Sequence, residues 1–411
     1  MDPSSWKRLG TSARTVGGPF SPNRPKQVLN HRRYSPAALT IAVTSATVVR
    51  SFEEAAKLLA ITADLKVSPR HLQTLCQEVG GELVAERQQA TTAYQERPPM
   101  TPSAKANPPV PLAVVMVDGG RIQTRKPEHG PGVHEPAWRE TKTAILLRMT
   151  HKSFPDDPQP DLPACFNHPL GTRGESPPPQ YQPDQRPETL VRTGLASLSS
   201  SEEFGWMATA AAEGRGFFTS TAKAFVSDGL PYNWAIHRRH FAEFEPILDF
   251  VHAAEHVHTV AKALGDDADV GRKWAEFCWQ GRVQEVLSEL DHRRSQLIPP
   301  ARPNDEPEHP WCVLGREHAY LSNNQQRMDY PRYRRAGLPI TSSPVESWVK
   351  QLNQRVKGSE KFWNDDQNAE AMVQLRAAWL SDDEAFAKRL QTRPGHPHAR
   401  PRQPVVSSLA A

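Results

Sequence analysis

The chain has 411 residues, 23% of them charged and 37% hydrophobic, a balance that suits a globular protein of two or three domains. No apolar run approaches the roughly 20 residues that span a bilayer, and the start MDPSSWKRLG lacks the apolar stretch of a secretory signal. Cys76, Cys165, Cys278 and Cys312 form no CxxC pair, which argues against a disulfide framework or a zinc ribbon and points to a reducing cytoplasm. The net charge of +4 is unevenly spread: residues 1–50 carry eight Lys/Arg against Asp2, residues 385–411 five and no acid, and residues 331–361 seven against Glu346 and Glu360. Basic tails and stripes on a near-neutral chain fit a phosphate-backbone partner, although solvated ends would look the same.

In chain order, residues 1–34 are basic and turn-rich and are expected to be disordered. Residues 35–97 read as helical. SFEEAAKLLAI (51–61) has a serine cap and one apolar face, and VSPRHLQTLCQEVGGEL (67–83) opens with Ser68-Pro69 and places Leu72, Leu75, Cys76 and Val79 at helical spacing. Two such helices fit a helix-turn-helix that contacts DNA, and equally a plain helical hairpin. Residues 97–111 hold six prolines and read as a linker. VPLAVVMVDGGRIQT (110–124) is a near-continuous apolar run, expected as a buried strand ending at Asp118-Gly-Gly, and TKTAILLRMTH (141–151) is a second strand. The stretch 153–190, with ten prolines, reads as an irregular loop.

Residues 199–216 predict a helix with a serine cap, an acidic first turn and a glycine stop. AKAFVSDGL (222–230) predicts a buried strand ending at Asp228-Gly229, and EPILDFVH (245–252) another strand. Residues 253–335 read as an all-helical insertion, with Trp274, Phe277, Cys278, Val283, Val286, Leu287 and Leu290 as its apolar face. A last helix is expected over 344–357 within a closing segment 336–390, followed by a disordered tail over 391–411. The order of strands and helices implies an α/β layer fold.

Two acids, Asp118 and Asp228, sit at strand ends and each precedes glycine, which allows close approach. Strand ends of an α/β sheet are where sites form, and a partly desolvated carboxylate there calls for a divalent cation. Glu346, in Ser343-Pro344-Val345-Glu346, reads at once as a capping box on Ser343 and as a third ligand. In its helix Val345, Trp348, Val349, Leu352 and Val356 share one face, while Glu346, Lys350, Asn353 and Lys357 share the other. Three carboxylates suit phosphodiester cleavage by two Mg²⁺ ions, with water and then a DNA 3′-hydroxyl as nucleophile.

The runs VMVDGGRIQ, FVSDGLPYNWAI, FEPILDFVHAAEHV and RMDYPRYRRAGLPITSSPVESWVKQLNQRVKGSEKFW resemble bacterial insertion-sequence transposases of the acidic-triad (DDE) type, Kra-type and near the Mutator-like branch. The resemblance covers about residues 110–380. It implies an RNase H-like mixed sheet flanked by helices and split by a helical insertion, with core parts over 110–252 and 336–390. It implies Asp118, Asp228 and Glu346 as catalytic, metal-holding acids, with two Mg²⁺ ions or Mn²⁺ in their place. Asp249-Phe250-Val251-His252 falls on the branch's Cys-or-Asp, two residues, His signature, which makes Asp249 and His252 supporting residues, and Trp363 falls on a family tryptophan. Lys350, Arg355 and Lys357 become candidate phosphate contacts. The partners implied are double-stranded DNA, as element ends and target, and further copies of the chain; no membrane is involved, and the location is the bacterial cytoplasm near the nucleoid. The long 153–190 stretch and Ser342-Ser343-Pro344, where relatives carry Ser-Gly, depart from the pattern.

Two rivals remain on the sequence. A catalytically silent transposase-derived DNA-binding protein would need only the basic tails and the helical hairpin. His252-Ala-Ala-Glu255-His256 also matches the H-x-x-E-H pattern of zinc metalloproteases.

Overall fold

A computed structural model describes residues 34–97, 110–125, 137–166, 186–265, 268–358 and 361–393. The basic start over 1–33, most of the proline-rich linker, the middle of the 153–190 stretch and the tail over 394–411 lie outside the described residues.

Three helices come first: α1 (Pro36–Val48), α2 (Phe52–Thr62) and α3 (Pro69–Gln95). At each start a serine oxygen accepts a first-turn N–H, Ser35 from Ala38, Ser51 from Glu54 and Ser68 from His71, as helix-start donors require. The sheet follows: β1 (Leu112–Thr124), β2 (Ala137–Met149), β3 (Thr189–Ser197), then α4 (Ser201–Glu213), β4 (Ala222–Ser227), α5 (Pro231–His240) and β5 (Glu245–Leu248). A helical block comprises α6 (Phe250–Leu264), α7 (Ala268–Trp279), α8 (Val283–Ser295), α9 (Pro310–Asn324) and α10 (Tyr330–Arg335), and the chain closes with α11 (Ser343–Val356), α12 (Asp366–Trp379) and α13 (Ala385–Thr392).

The fold is mixed α/β around a five-stranded mixed sheet of order β3-β2-β1-β4-β5. β1, β2 and β3 are antiparallel neighbours, whereas β4 and β5 run parallel to β1. Parallel neighbours need a crossover, and α5 supplies it between β4 and β5. The sequence reading passed over both α5 and β3. In β3 (TLVRTGLAS) the alternation is weak and Gly194 interrupts it, yet Gly194 is needed: a Cβ there would meet the Trp348 ring at 2.0 Å. Thr193 and Leu195, on the other face, share a cavity with Met207 and Ala210 of α4. Side chains alternate along a strand, so α4 and α11 cover opposite faces of the sheet.

Three boundaries differ from expectation. β1 does not stop at Asp118; its hairpin pairing with β2 carries it to Thr124, and only the parallel pairing with β4 ends, at Val117 with Ser227. EPILDFVH is not one strand, because β5 stops at Leu248 and Asp249 caps α6. The tail does not begin at 391: Arg393 is buried against Glu82, with a shortest contact of 2.7 Å. The helical hairpin α2–α3 is part of the body: α3 packs along α12, with Gly80 close against Ala371 and Arg87 bonded to Glu370 and Gln374. The apolar face expected for the helical block is buried at Trp274, Cys278, Val283, Val286, Leu287 and Leu290, while Phe277 is only partly buried. No helix among the described residues is long and apolar enough to cross a membrane.

Candidate metal centre at the strand ends

The sheet register decides the site. Val117 pairs with Ser227, and Ser227 with Leu248, across three adjacent parallel strands. The next residue on each strand is an aspartate: Asp118, Asp228 and Asp249. Neighbouring strands lie about 4.8 Å apart, so three aspartates stand in a row where the parallel pairing of β1, β4 and β5 ends. The junction is pinned by hydrogen bonds from Ser227 Oγ to the Val117 carbonyl (2.8 Å) and from the Asp249 amide to the Ser227 carbonyl (2.9 Å).

The three aspartates differ in what their oxygens already hold. Asp249 is fully buried and accepts from the amides of Val251, His252 and Ser342 and from His252 Nδ1 at 2.5 Å. Its acceptor capacity is spent. Asp118 and Asp228 are half-buried, and each commits only Oδ1: Asp118 to the Gly119 amide (2.6 Å), Asp228 to the Leu230 amide (3.2 Å) and Asn233 Nδ2 (2.7 Å). Oδ2 of each has no hydrogen-bond donor among the described residues.

Glu346 arrives from far along the chain by way of Asp249. The strand-end backbone holds the segment before α11: Phe250 N–H donates to the Ile340 carbonyl and Ser342 N–H to Asp249 Oδ1, both at 2.9 Å. Glu346 then lies in the first turn of α11. The capping box expected on Ser343 is not formed, because the helix begins at Ser343 and Ser342 is the residue before it. Ser342 Oγ instead donates to Glu346 Oε1 at 3.3 Å, and the charge of Glu346 is felt at Asp118. Ligand atoms of Asp249, His252 and Glu346 lie within 4.8 Å of one another. That proximity belongs to a hydrogen-bonded clamp, since Asp249 has no lone pair to offer an ion.

Electrostatics tie the same residues together. Burial pushes the Asp118 carboxyl up to about 6, and the charges of Asp228 and Glu346 push the same way. Asp228 is raised as well, chiefly by burial. The hydrogen bond to Asp249 lifts His252 to about 9, so at neutral pH an imidazolium stands beside the acids. Asp118 and Asp228 are thus carboxylates held above their ordinary range, each with one oxygen free of a donor, and oxygen donors of that kind are the type that hard divalent cations take.

Tyr232 and Tyr320 belong to the site although the sequence motifs do not include them as site residues. A Cβ on Gly119 would meet Tyr232 Oη at 2.7 Å, and one on Gly229 the Tyr320 ring at 2.1 Å. The two glycines therefore make room for tyrosines that wall the site. Tyr232 and Asn233 had a signal in the PYNW that follows Asp228-Gly229; Tyr320, from the helical block, had none.

Among the basic candidates, Lys350 is 79% exposed and 3.9 Å from Glu346, and Lys357 is exposed beside the Trp138 ring, which Arg121 also covers. Arg355 must be withdrawn as a phosphate contact. It is 2% exposed and donates to the backbone carbonyls of Ala46 and Arg50, because it lies on the face of α11 that packs on α1 and α2. The zinc constellation is divided: His252 belongs to Asp249, while His256 bonds Glu317 and stacks on Tyr320 at 3.5 Å, and Glu255 is exposed. Trp363 closes the far end of β1, its amide donating to the Gln123 carbonyl and its indole to that of Val356. The chain matches no protein-family model and no curated protein.

Proposed function

We propose that the chain is a DDE-type DNA transposase with an RNase H-like core, cutting element ends and joining the freed 3′-hydroxyl to target DNA. What supports this reading most is the nearness of Asp118 to Asp228 and Glu346, whose charges both disfavour its own. The mixed sheet flanked by helices, and the helical block between the second and third acids, support the fold that the sequence resemblance implies. Asp118 Oδ2, Asp228 Oδ2 and the Glu346 carboxylate would hold Mg²⁺. When bound, the ions supply an activated oxygen nucleophile and stabilise the leaving oxygen. Asp249 and His252 hold α11 against the strand ends, and Tyr232 and Tyr320 narrow the cleft and limit water. Lys350 and Lys357 provide cations for a DNA backbone beside the acids.

The test is strand cleavage and joining on a duplex carrying the DNA that flanks the coding region, with Mg²⁺ or Mn²⁺. Cleavage that disappears in Asp118→Asn, Asp228→Asn and Glu346→Gln, while duplex binding persists, is the expected result. Binding without any metal-dependent cleavage by the unaltered protein sinks the enzyme reading and leaves the silent DNA-binding one.

A further inference from the structure

A second cationic surface leaves the acid cleft in the direction away from α11. A groove of about 700 Å³ runs from Asp228 and His252 between α5 and α9, and Arg238, Arg316, Asn323 and Arg327 line it. Several arginines that pack into the body have carboxylate partners, as Arg87 has Glu370, Arg334 has Asp157 and Arg393 has Glu82, and others, Arg355 and Arg376, each give two hydrogen bonds to backbone carbonyls. In the groove, Arg238 is exposed and Arg327 donates only to the Asn323 carbonyl and Asn324 Oδ1 while lying 4.3 Å over the Trp234 ring. Neither has an acid within ion-pair distance among the described residues. They are close enough for Arg238 to disfavour the charge on Arg327, in addition to the effect of burial. Two like charges facing one groove, neither within ion-pair distance of a described carboxylate, are unfavourable until an anion joins them. Arg316, 51% exposed, adds a third guanidinium, held at 2.8 Å by the buried Glu317.

We propose that this groove seats the phosphodiester backbone of the DNA strand on one side of the phosphate being cut, with Arg238, Arg316 and Arg327 as its contacts. The proposal rests on the transposase reading of the acids. Lys350 and Lys357 lie on α11 and the arginines on α5 and α9, so cations flank the carboxylates from two directions. A lone anion beside Asp228 would be repelled by it, whereas a backbone tethered through the cleft meets guanidiniums on leaving it. The helical block thereby acquires a role: α9 forms one wall of the DNA path.

The experiment uses the full chain with fluorescein-labelled duplex and single-stranded oligonucleotides of about 30 nucleotides of mixed sequence, titrated at several NaCl concentrations, a length that covers more than one binding site. Mn²⁺ binding is followed separately by electron paramagnetic resonance. Arg238→Gln/Arg327→Gln should weaken binding about tenfold and reduce the slope of log K against log[NaCl] by roughly 1.4–1.8, the loss of two phosphate contacts. Its Mn²⁺ binding should match the unaltered protein. Because Arg327 also packs on Trp234, the exposed Arg238→Glu alone serves as the second variant and should weaken binding and lower the slope. Unchanged affinity and slope in Arg238→Glu, with Mn²⁺ binding intact and lost in Asp118→Asn, overturn the groove and leave the acid site standing. An unaltered protein that binds neither DNA nor Mn²⁺ overturns both.

Discussion

The two halves of the acid site are built by different means. Asp118 and Asp228 are fixed by sheet register, one residue beyond a paired position on adjacent strands. Glu346 is fixed by a clamp, in which buried Asp249 accepts the Ser342 amide and so docks the start of α11. Register is a property of many backbone bonds at once, whereas the clamp depends on one carboxylate. The strand-end acids should therefore be dispensable for folding, and the residue that places the helix acid should not.

The largest expected effect is on activity. Asp118→Asn or Asp228→Asn should lower the cleavage rate at least about 10³-fold, since several kcal/mol of charge stabilisation are lost at about 1.36 kcal/mol per tenfold. The same Asp118→Asn should stabilise the metal-free fold by about 1–3 kcal/mol, because its charge is disfavoured there. A fall in melting temperature would break the comparison, as it would mean that the strand-end acids also hold the structure.

Next is the clamp. Asp249→Ala strips acceptors from three backbone amides and from His252, and should cost about 3–5 kcal/mol, as for a broken buried charged network. Chemical denaturation measures the loss. A variant with unaltered stability would show that α11 docks through its apolar face alone.

The sequence reached the two halves unequally for the same reason. The apolar run before Asp228-Gly marks the end of β4, and the one before Asp118-Gly marks only where the pairing of β1 with β4 stops, since β1 runs on to Thr124. Asp249 was placed late in a strand, since nothing local marks Leu248 as its end, and its link to Ser342 joins positions far apart in the chain. β3 and α5 escaped because Gly194 breaks the alternation of one and PYNWAIHRRH lacks a serine cap and a clear apolar face. Arg355, expected as a phosphate contact beside Lys350 and Lys357, lies with Leu352 and Val356 on the buried side, so charge alone does not mark an outward residue.

The contrast between Arg355 and the two lysines gives a smaller test within α11 itself. Lys350→Gln/Lys357→Gln should leave stability within about 0.5 kcal/mol, as surface changes do, and lower the salt slope of DNA binding by roughly 1.4–1.8. Arg355→Gln should do the reverse, costing about 2–4 kcal/mol through unsatisfied carbonyls and lost packing, with no change in salt slope for the fraction that remains folded. A slope change in Arg355→Gln would return that residue to the DNA surface.

The smallest effect separates the clamp from ordinary burial by the sign of its pH dependence. His252 is raised to about 9 by its bond to Asp249, so its contribution is whole below the unfolded value of 6.5 and disappears as pH climbs from 6.5 to 9. His240 is lowered to about 4 by burial beside Trp206, 4.7 Å away between ring centres, so its contribution is whole above 6.5 and disappears as pH falls from 6.5 to 4. Stability measured in chelator should therefore decline on the alkaline limb by about 1–2 kcal/mol once solvent screening is allowed for, while on the acid limb the similar loss from His240 is opposed by Asp118, whose raised carboxyl regains stability as pH falls through 6. His252→Gln should flatten the alkaline limb only, and His240→Gln should remove the acid-side loss only. If His252→Gln leaves the alkaline limb in place, the imidazolium is not bound through Asp249, and the clamp reduces to that carboxylate and the backbone amides it accepts.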